Sequence, residues 1–137
     1  MSFVVDNSVA LTWCFEDERT PATAALLDQV GELGALAPML WPLEVLNGLL
    51  VAERRGRLDA PRRRRLVGFL RALPIILDAE TAPQTWTGTA RLAERFGLSA
   101  YDAAYLELAQ RRQLPLASLD RDLRSAAAAI GVAVLGS

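Results

Sequence analysis

Short apolar runs alternate along this chain with longer stretches of helical periodicity, and the alternation predicts a layered α/β fold. Ser2-Phe3-Val4-Val5 reads as a short buried strand that ends at Asp6. Asn7-Ser8 then supplies a turn, with the Ser8 hydroxyl capping a short helix over 9–15. An amphipathic helix runs from Pro21 to Leu33, and Gly34 ends it. Residues 35–39 read as a strand. Pro42 opens a helix through Arg55, which Gly56 stops. Asp59 caps the next helix, with Pro61 in its first turn and Leu66, Phe69, Leu70 and Leu73 at i, i+3, i+4 and i+7. Pro74 breaks that helix ahead of a strand at 75–77. A helix over 82–96 is closed by Gly97, and another runs from Ser99 to Gln113. Strand 116–119, helix 120–130 and strand 132–135 complete the pattern. Strands separated by helices imply a central, mostly parallel sheet with helices on both faces. The length fits one domain, 1–137.

Composition narrows the chemistry. Apolar residues make up 52% of the chain, too many for a disordered one. No apolar run is long enough to span a bilayer. The opening Met-Ser-Phe-Val-Val-Asp lacks the pattern of a secretory signal, so a cytoplasmic protein is expected. A lone cysteine, Cys14, excludes an internal disulfide and reads as a small hydrophobe. There is no histidine, which removes Ser-His-Asp and Cys-His nucleophiles and histidine zinc sites. All fifteen basic residues are arginine, so Schiff-base and P-loop lysines are excluded as well. General acids, bases and metal ligands must come mostly from the sixteen carboxylates.

Four of those carboxylates stand where a parallel sheet builds its sites. Asp6 and Asp120 each follow a buried strand, and ligands bind beyond the carboxyl ends of such strands. Either one alone reads equally well as a helix cap. Asp102 follows Ser99 in a spacing like that of a capping box. It also shares a helix face with Tyr105, Leu106 and Ala109, opposite a polar side of Glu107, Gln110 and Arg111. A carboxylate on an apolar face requires a cation or an arginine to offset its burial. Glu44 sits in the first turn of an apolar helix, where the helix dipole favours an acid. Asn47 and Gly48 lie one turn below it. Together the four suit a hard divalent cation such as Mg2+, which prefers oxygen ligands and keeps several waters.

Four segments carry a resemblance. They are Val4-Val5-Asp6-Asn7-Ser8-Val9-Ala10-Leu11-Thr12-Trp13, Trp41-Pro42-Leu43-Glu44-Val45-Leu46-Asn47, Leu98-Ser99-Ala100-Tyr101-Asp102-Ala103-Ala104-Tyr105 and Ala117-Ser118-Leu119-Asp120. In this order, and across almost the whole chain, they resemble VapC-type PIN domains, the toxins of type II toxin–antitoxin modules. The resemblance implies a PIN-like α/β/α sandwich and a Mg2+- or Mn2+-dependent endoribonuclease that leaves 5′-phosphate and 3′-hydroxyl ends. It also implies an RNA substrate, a small cognate antitoxin that enters the active site, and a homodimer. Carried over, Asp6, Asp102 and Asp120 hold metal directly or through water, and Glu44 ligates a second ion or positions water. Ser8, Ser118 and Asn47 orient the acids through hydrogen bonds. Asp122 shares the role of Asp120 or stands beside it.

Other features carry two readings each. Arg62-Arg63-Arg64-Arg65 covers every side of a helix, so it is a solvated helix start or a set of phosphate contacts. With Arg54, Arg55 and Arg57 it forms one basic patch for RNA or for an acidic partner. Trp13, Trp41 and Trp86 read as core residues, with Trp41 placed to line a cleft near Glu44. Three alternatives to the ribonuclease differ in class. They are a PIN-like binding scaffold without turnover, a DNA-directed nuclease, and a phosphoacceptor receiver domain, whose partner lysine is missing here.

Overall fold

The apolar run at the start of the chain becomes the centre of the sheet. The structure, a computed structural model, describes residues 2–137, so the first residue of the expected 1–137 domain lies outside the described residues. Strand β1 spans Val4–Val5, α1 Asn7–Thr12 and a 3-10 turn Glu16–Glu18. There follow α2 (Pro21–Leu33), β2 (Ala35–Pro38), α3 (Trp41–Arg54), α4 (Ala60–Ala72) and β3 (Ile75–Asp78). Then come α5 (Thr81–Gln84), a π-helical turn (Thr85–Thr89), α6 (Ala90–Phe96) and α7 (Ala100–Arg112), with β4 (Leu116–Ala117), α8 (Arg121–Ala129) and β5 (Val134–Leu135) last. The strands run in the order β3-β2-β1-β4-β5, every neighbouring pair parallel. Flanking helices make this the expected α/β/α sandwich. Among the described residues no helix is long and apolar enough to cross a membrane.

Local chemistry explains most boundaries. Thr20 and Thr23 form a reciprocal capping box at the start of α2, with Pro21 in its first turn. Gly34 closes α2 at φ 73, and a Cβ there would lie 3.0 Å from the Pro74 carbonyl oxygen. That position therefore needs glycine twice over, for its backbone angle and for its packing. Asp59 accepts the Arg62 N–H to cap α4, and Ser99 accepts the Asp102 N–H to cap α7.

Three expectations fail. The cap of α1 is Asp6 rather than Ser8, because the carboxylate reaches the Val9 N–H at 3.0 Å. Trp86 is 84% exposed rather than core. A π turn carries more residues per turn than an α-helix and rotates the helix faces across it, so Thr89 and Leu92 point inward instead. The polar side expected on α7 is also absent at Glu107, since every residue from Ala103 to Ala109 is buried. This helix packs on β1, β2 and β4 and is flanked by α6 and α8, so it has no broad solvent face.

The buried Glu107 is compensated by charge. Arg111, one turn on, donates to its carboxylate at 2.8 Å and also to the buried Asp78 at the end of β3. Gly88 of the π turn lies against Glu107, with a Cβ position 3.2 Å from Cγ. The ion pairs thus pin α7 to the edge strand under the π turn. Replacing Arg111 by Met should destabilise the fold by about 3–5 kcal/mol, since two buried carboxylates lose their cation. Urea denaturation measures this, and a loss below about 1 kcal/mol would contradict it.

Candidate metal centre

Register places Asp6. Val5 pairs with Ala117, so the next residues, Asp6 and Ser118, leave the sheet side by side. The Asp6 N–H still donates to the Ala117 carbonyl at 3.1 Å, while its side chain is 97% buried. The Ser8 hydroxyl donates to Asp6 Oδ1 at 2.6 Å and accepts the Leu119 N–H at 2.9 Å. Ser118, fully buried, also hydrogen-bonds the Asp6 carboxyl and accepts the Asp120 N–H at 3.1 Å. The two serines thereby tie the end of β1 to the end of β4 through the carboxylate itself.

The other acids surround this point. Glu44 is half-buried in the first turn of α3 and accepts the Tyr105 hydroxyl at 2.7 Å. Tyr105 comes from α7, one turn beyond Asp102. Asp102 offers only its backbone N–H to the Ser99 cap, and among the described residues its carboxylate has no hydrogen bond or ion pair. Asp120 caps α8 through the Leu123 N–H at 2.8 Å and is exposed. Asp122 lies further out, with its side chain 81% exposed. Asn7, Glu44, Asn47, Gly48 and Tyr101 line the cleft beside the acids.

Charge, not contact, couples these groups. Burial raises the Asp6 pKa above the carboxylate range. Its hydrogen bonds from Ser118, Ser8 and Val9 oppose that rise, and the Asp102 charge adds to it. Glu44 is raised by burial, opposed by Tyr105, with Asp102 and Asp6 repelling it further. Asp102 is raised by burial and then by Asp120 and Asp122. Among the described residues none of Asp6, Glu44, Asp102 and Asp120 has an arginine in ion-pair contact. Equally, no three of the described acids converge tightly enough to grip one ion directly. The arrangement is an acidic cleft with no cation of the protein's own in contact among the described residues.

Residues 3–129 match the PIN domain. The chain belongs to the PIN-domain family. It is 32% identical over 127 residues to Ribonuclease VapC3 of Pyrobaculum aerophilum, a match covering 90% of this chain and 92% of that protein. Among solved structures its fold resembles VapC20 of Mycobacterium tuberculosis, a sarcin-ricin-loop-cleaving toxin, with TM-score 0.65, 17% identity and 96% of each chain covered. A toxin–antitoxin complex from Klebsiella pneumoniae matches with TM-score 0.62 and 17% identity, over 95% of this chain and 93% of that one.

Within this PIN domain the structure brings Asp6, Ser8 and Ser118 into direct contact and sets Glu44, Asp102 and Asp120 around them. Asn47 lines the cleft but makes no hydrogen bond to an acid among the described residues. Trp41 lines a different, apolar groove with Val67, Leu70, Ile75 and Leu77, away from the acids. The basic patch divides. Arg63 is bound to Glu53 and Arg57 to Asp17 and Glu18, whereas Arg54, Arg55 and Arg62 are exposed with no ion pair among the described residues. The residue missed at the site is Tyr105, which reads in sequence only as an apolar neighbour of Asp102.

The raised acids make stability depend on pH. Between the ordinary carboxylate pKa and the raised folded values, the folded state holds protons that the unfolded chain has released. The contribution of Asp6, Glu44 and Asp102 to stability therefore falls as pH rises through that window and stays low above it. Metal-free Asp6→Asn should lose this pH-dependent penalty and melt higher than the wild type at pH 7. Thermal unfolding in chelator at pH 5 and pH 7 measures it, and a lower melting point for the variant at pH 7 would contradict it.

Proposed function

We propose that this PIN domain is a Mg2+- or Mn2+-dependent endoribonuclease, the toxin of a type II toxin–antitoxin pair, with its site at Asp6, Glu44, Asp102 and Asp120. The observation that carries this reading is the cluster of four carboxylates, free of arginine, at the carboxyl end of a parallel sheet in a relative of Ribonuclease VapC3. Family membership implies a divalent metal, and the all-oxygen donor set fits a hard one.

Each residue has a task. Asp6, Asp102 and Asp120 would hold the cation, Asp6 as the rigid member because both serines and the α1 N-terminus fix its carboxylate. When bound, the cation acidifies water and offsets the negative charge that builds on phosphate during cleavage. Glu44, steadied by Tyr105, orients the attacking water or helps hold a second ion. Water adds at phosphorus and the bond to the 3′ oxygen breaks, leaving a 5′-phosphate and a 3′-hydroxyl. Asp122 is an exposed auxiliary of Asp120.

The partner follows from the same charge. An antitoxin that stops the enzyme should present an arginine or lysine to the acidic cleft in place of metal, and the Klebsiella pneumoniae neighbour is itself a toxin–antitoxin complex. Exposed Met39, Leu43, Tyr101 and Leu119 follow strand ends or open helices near the acids, an apolar set that supports a homodimer.

RNA incubated with the protein should be cut only with Mg2+ or Mn2+, and chelator should stop it. Asp6→Asn, Asp102→Asn and Asp120→Asn should each lower kcat by about 10²-fold or more without unfolding the chain. Asp122→Asn should retain most activity. Full cutting in excess chelator, or by Asp6→Asn, would overturn the reading. Loss in Asp122→Asn equal to that in Asp120→Asn would make Asp122 a full member of the site.

A further inference from the structure

One arginine next to the acids is turned away from them. Arg124 stands four residues after Asp120, a spacing at which an acid and an arginine pair along a helix. Among the described residues the two form no ion pair. The half-buried Arg124 lies instead against the ends of β4 and β5. Its Nη1 donates to the Ser118 carbonyl at 2.8 Å and to the Leu135 carbonyl at 3.0 Å, and its Nη2 donates to the Ser137 hydroxyl at 2.8 Å.

These bonds act on the segment that carries Asp120. The last ladder pair of β4 and β5 is Ala117 with Leu135. Beyond it the Ser118 N–H still donates to the Leu135 carbonyl at 3.2 Å, and Arg124 adds a second link by joining the two carbonyls through one nitrogen. The Leu119 N–H goes to the Ser8 hydroxyl and the Asp120 N–H to the Ser118 hydroxyl. Asp120 itself is exposed, and its carboxylate caps α8 through the Leu123 N–H. An exposed carboxylate is only as well placed as the backbone beneath it. Leu123 and Arg124 are neighbours in the first turns of α8, so the arginine's bonds set how that helix start meets the sheet, and with it where Asp120 stands.

We propose that Arg124 is the positioning residue of Asp120. It clamps the start of α8 to the ends of β4 and β5 so that Asp120 is held toward the other acids, and the same carbonyls keep its guanidinium from pairing with Asp120. The inference rests on the metal-binding part of the proposed function. Two effects of Arg124 on a bound cation have opposite signs. Its charge alone repels a divalent ion, so removing that charge would strengthen binding. Its clamp orders a ligand, and loss of a group that orients a ligand weakens metal binding by about 10-fold to 100-fold. The sign of the change therefore separates a clamp from a nearby charge, and any change separates it from a role in fold stability alone.

Mn2+ titration of the full chain tests this, comparing wild type with Arg124→Gln, Arg121→Gln, Asp120→Asn and the Arg124→Gln, Asp120→Asn double variant. Arg124→Gln should raise the Kd for Mn2+ about tenfold or more. Arg121→Gln removes the same charge from a side chain that is 96% exposed, and should leave Kd unchanged or lower it. In the Asp120→Asn background, Arg124→Gln should move Kd by less than about twofold, because the ligand it places is already gone. An unchanged or lower Kd for Arg124→Gln overturns the proposal, and so does an equal loss of affinity in both backgrounds. If Arg124→Gln fails to fold, Arg124→Lys replaces it. That variant keeps the charge on a shorter side chain and should raise Kd about threefold or more, and an unchanged Kd overturns the proposal. If wild type binds no Mn2+, the metal reading fails by itself. Placement of Asp120 is then read from amide hydrogen exchange, where Leu119 and Asp120 N–H groups that exchange no faster in the Arg124 variant than in wild type overturn it.

Discussion

The rest of the site depends on how one buried carboxylate is held. Asp6 is both the terminus of the central strand and the cap of α1, so the same side chain ends one element and starts the next. Its burial is costly, and three donors meet the cost: the Val9 N–H, the Ser8 hydroxyl and the Ser118 hydroxyl. Ser118 belongs to the end of β4, and Ser8 also accepts the Leu119 N–H, so the network fixes β4 against β1 beyond their last ladder pair. Asp120, two residues after Ser118, inherits its position from that lock. The donors are neutral, which leaves the negative charge available to an ion.

The opposing tension is electrostatic. Glu44 arrives on α3 and Asp102 on α7, two helices whose burial is set by the core, and neither brings a cation with it. The arginines that pair with buried or half-buried acids sit elsewhere, Arg111 with the buried Asp78 and Glu107, and Arg63 with the half-buried Glu53. The fold therefore neutralises its structural carboxylates and leaves the four at the sheet edge exposed to one another's charge. Of the buried carboxylates, Asp78 and Glu107 have an arginine partner and Asp6 has none among the described residues, the contrast on which the proposed ligand site rests.

Much of this was legible in the chain. Apolar runs ending in Asp6 and Asp120 located two strand ends, and prolines and glycines marked most helix boundaries. Glu44 and Asp102 were readable as acids on apolar helices, and their assembly with the strand-end acids came from the resemblance rather than from spacing. What stayed hidden depended on tertiary contacts. Tyr105 looks like an ordinary core residue until α3 brings Glu44 to its hydroxyl. Glu107 looks solvated because helical periodicity assumes one wet face, which α7 lacks. Trp86 looks like core because nothing in its neighbours announces a π turn. The basic segments looked like one patch, and only pairing distances separate the occupied Arg57 and Arg63 from the free Arg55.

The four acids have no arginine in ion-pair contact among the described residues, and on the proposed function they hold a divalent ion. Electron paramagnetic resonance of Mn2+ titrated into the protein tests it directly, because bound and free Mn2+ give separable signals without any need for turnover. Wild type should bind Mn2+ saturably, in competition with Mg2+, and an Asp6→Asn, Asp102→Asn double variant that still folds should lose that binding. Undiminished Mn2+ binding by that double variant, or none by the wild type at millimolar metal, would contradict it.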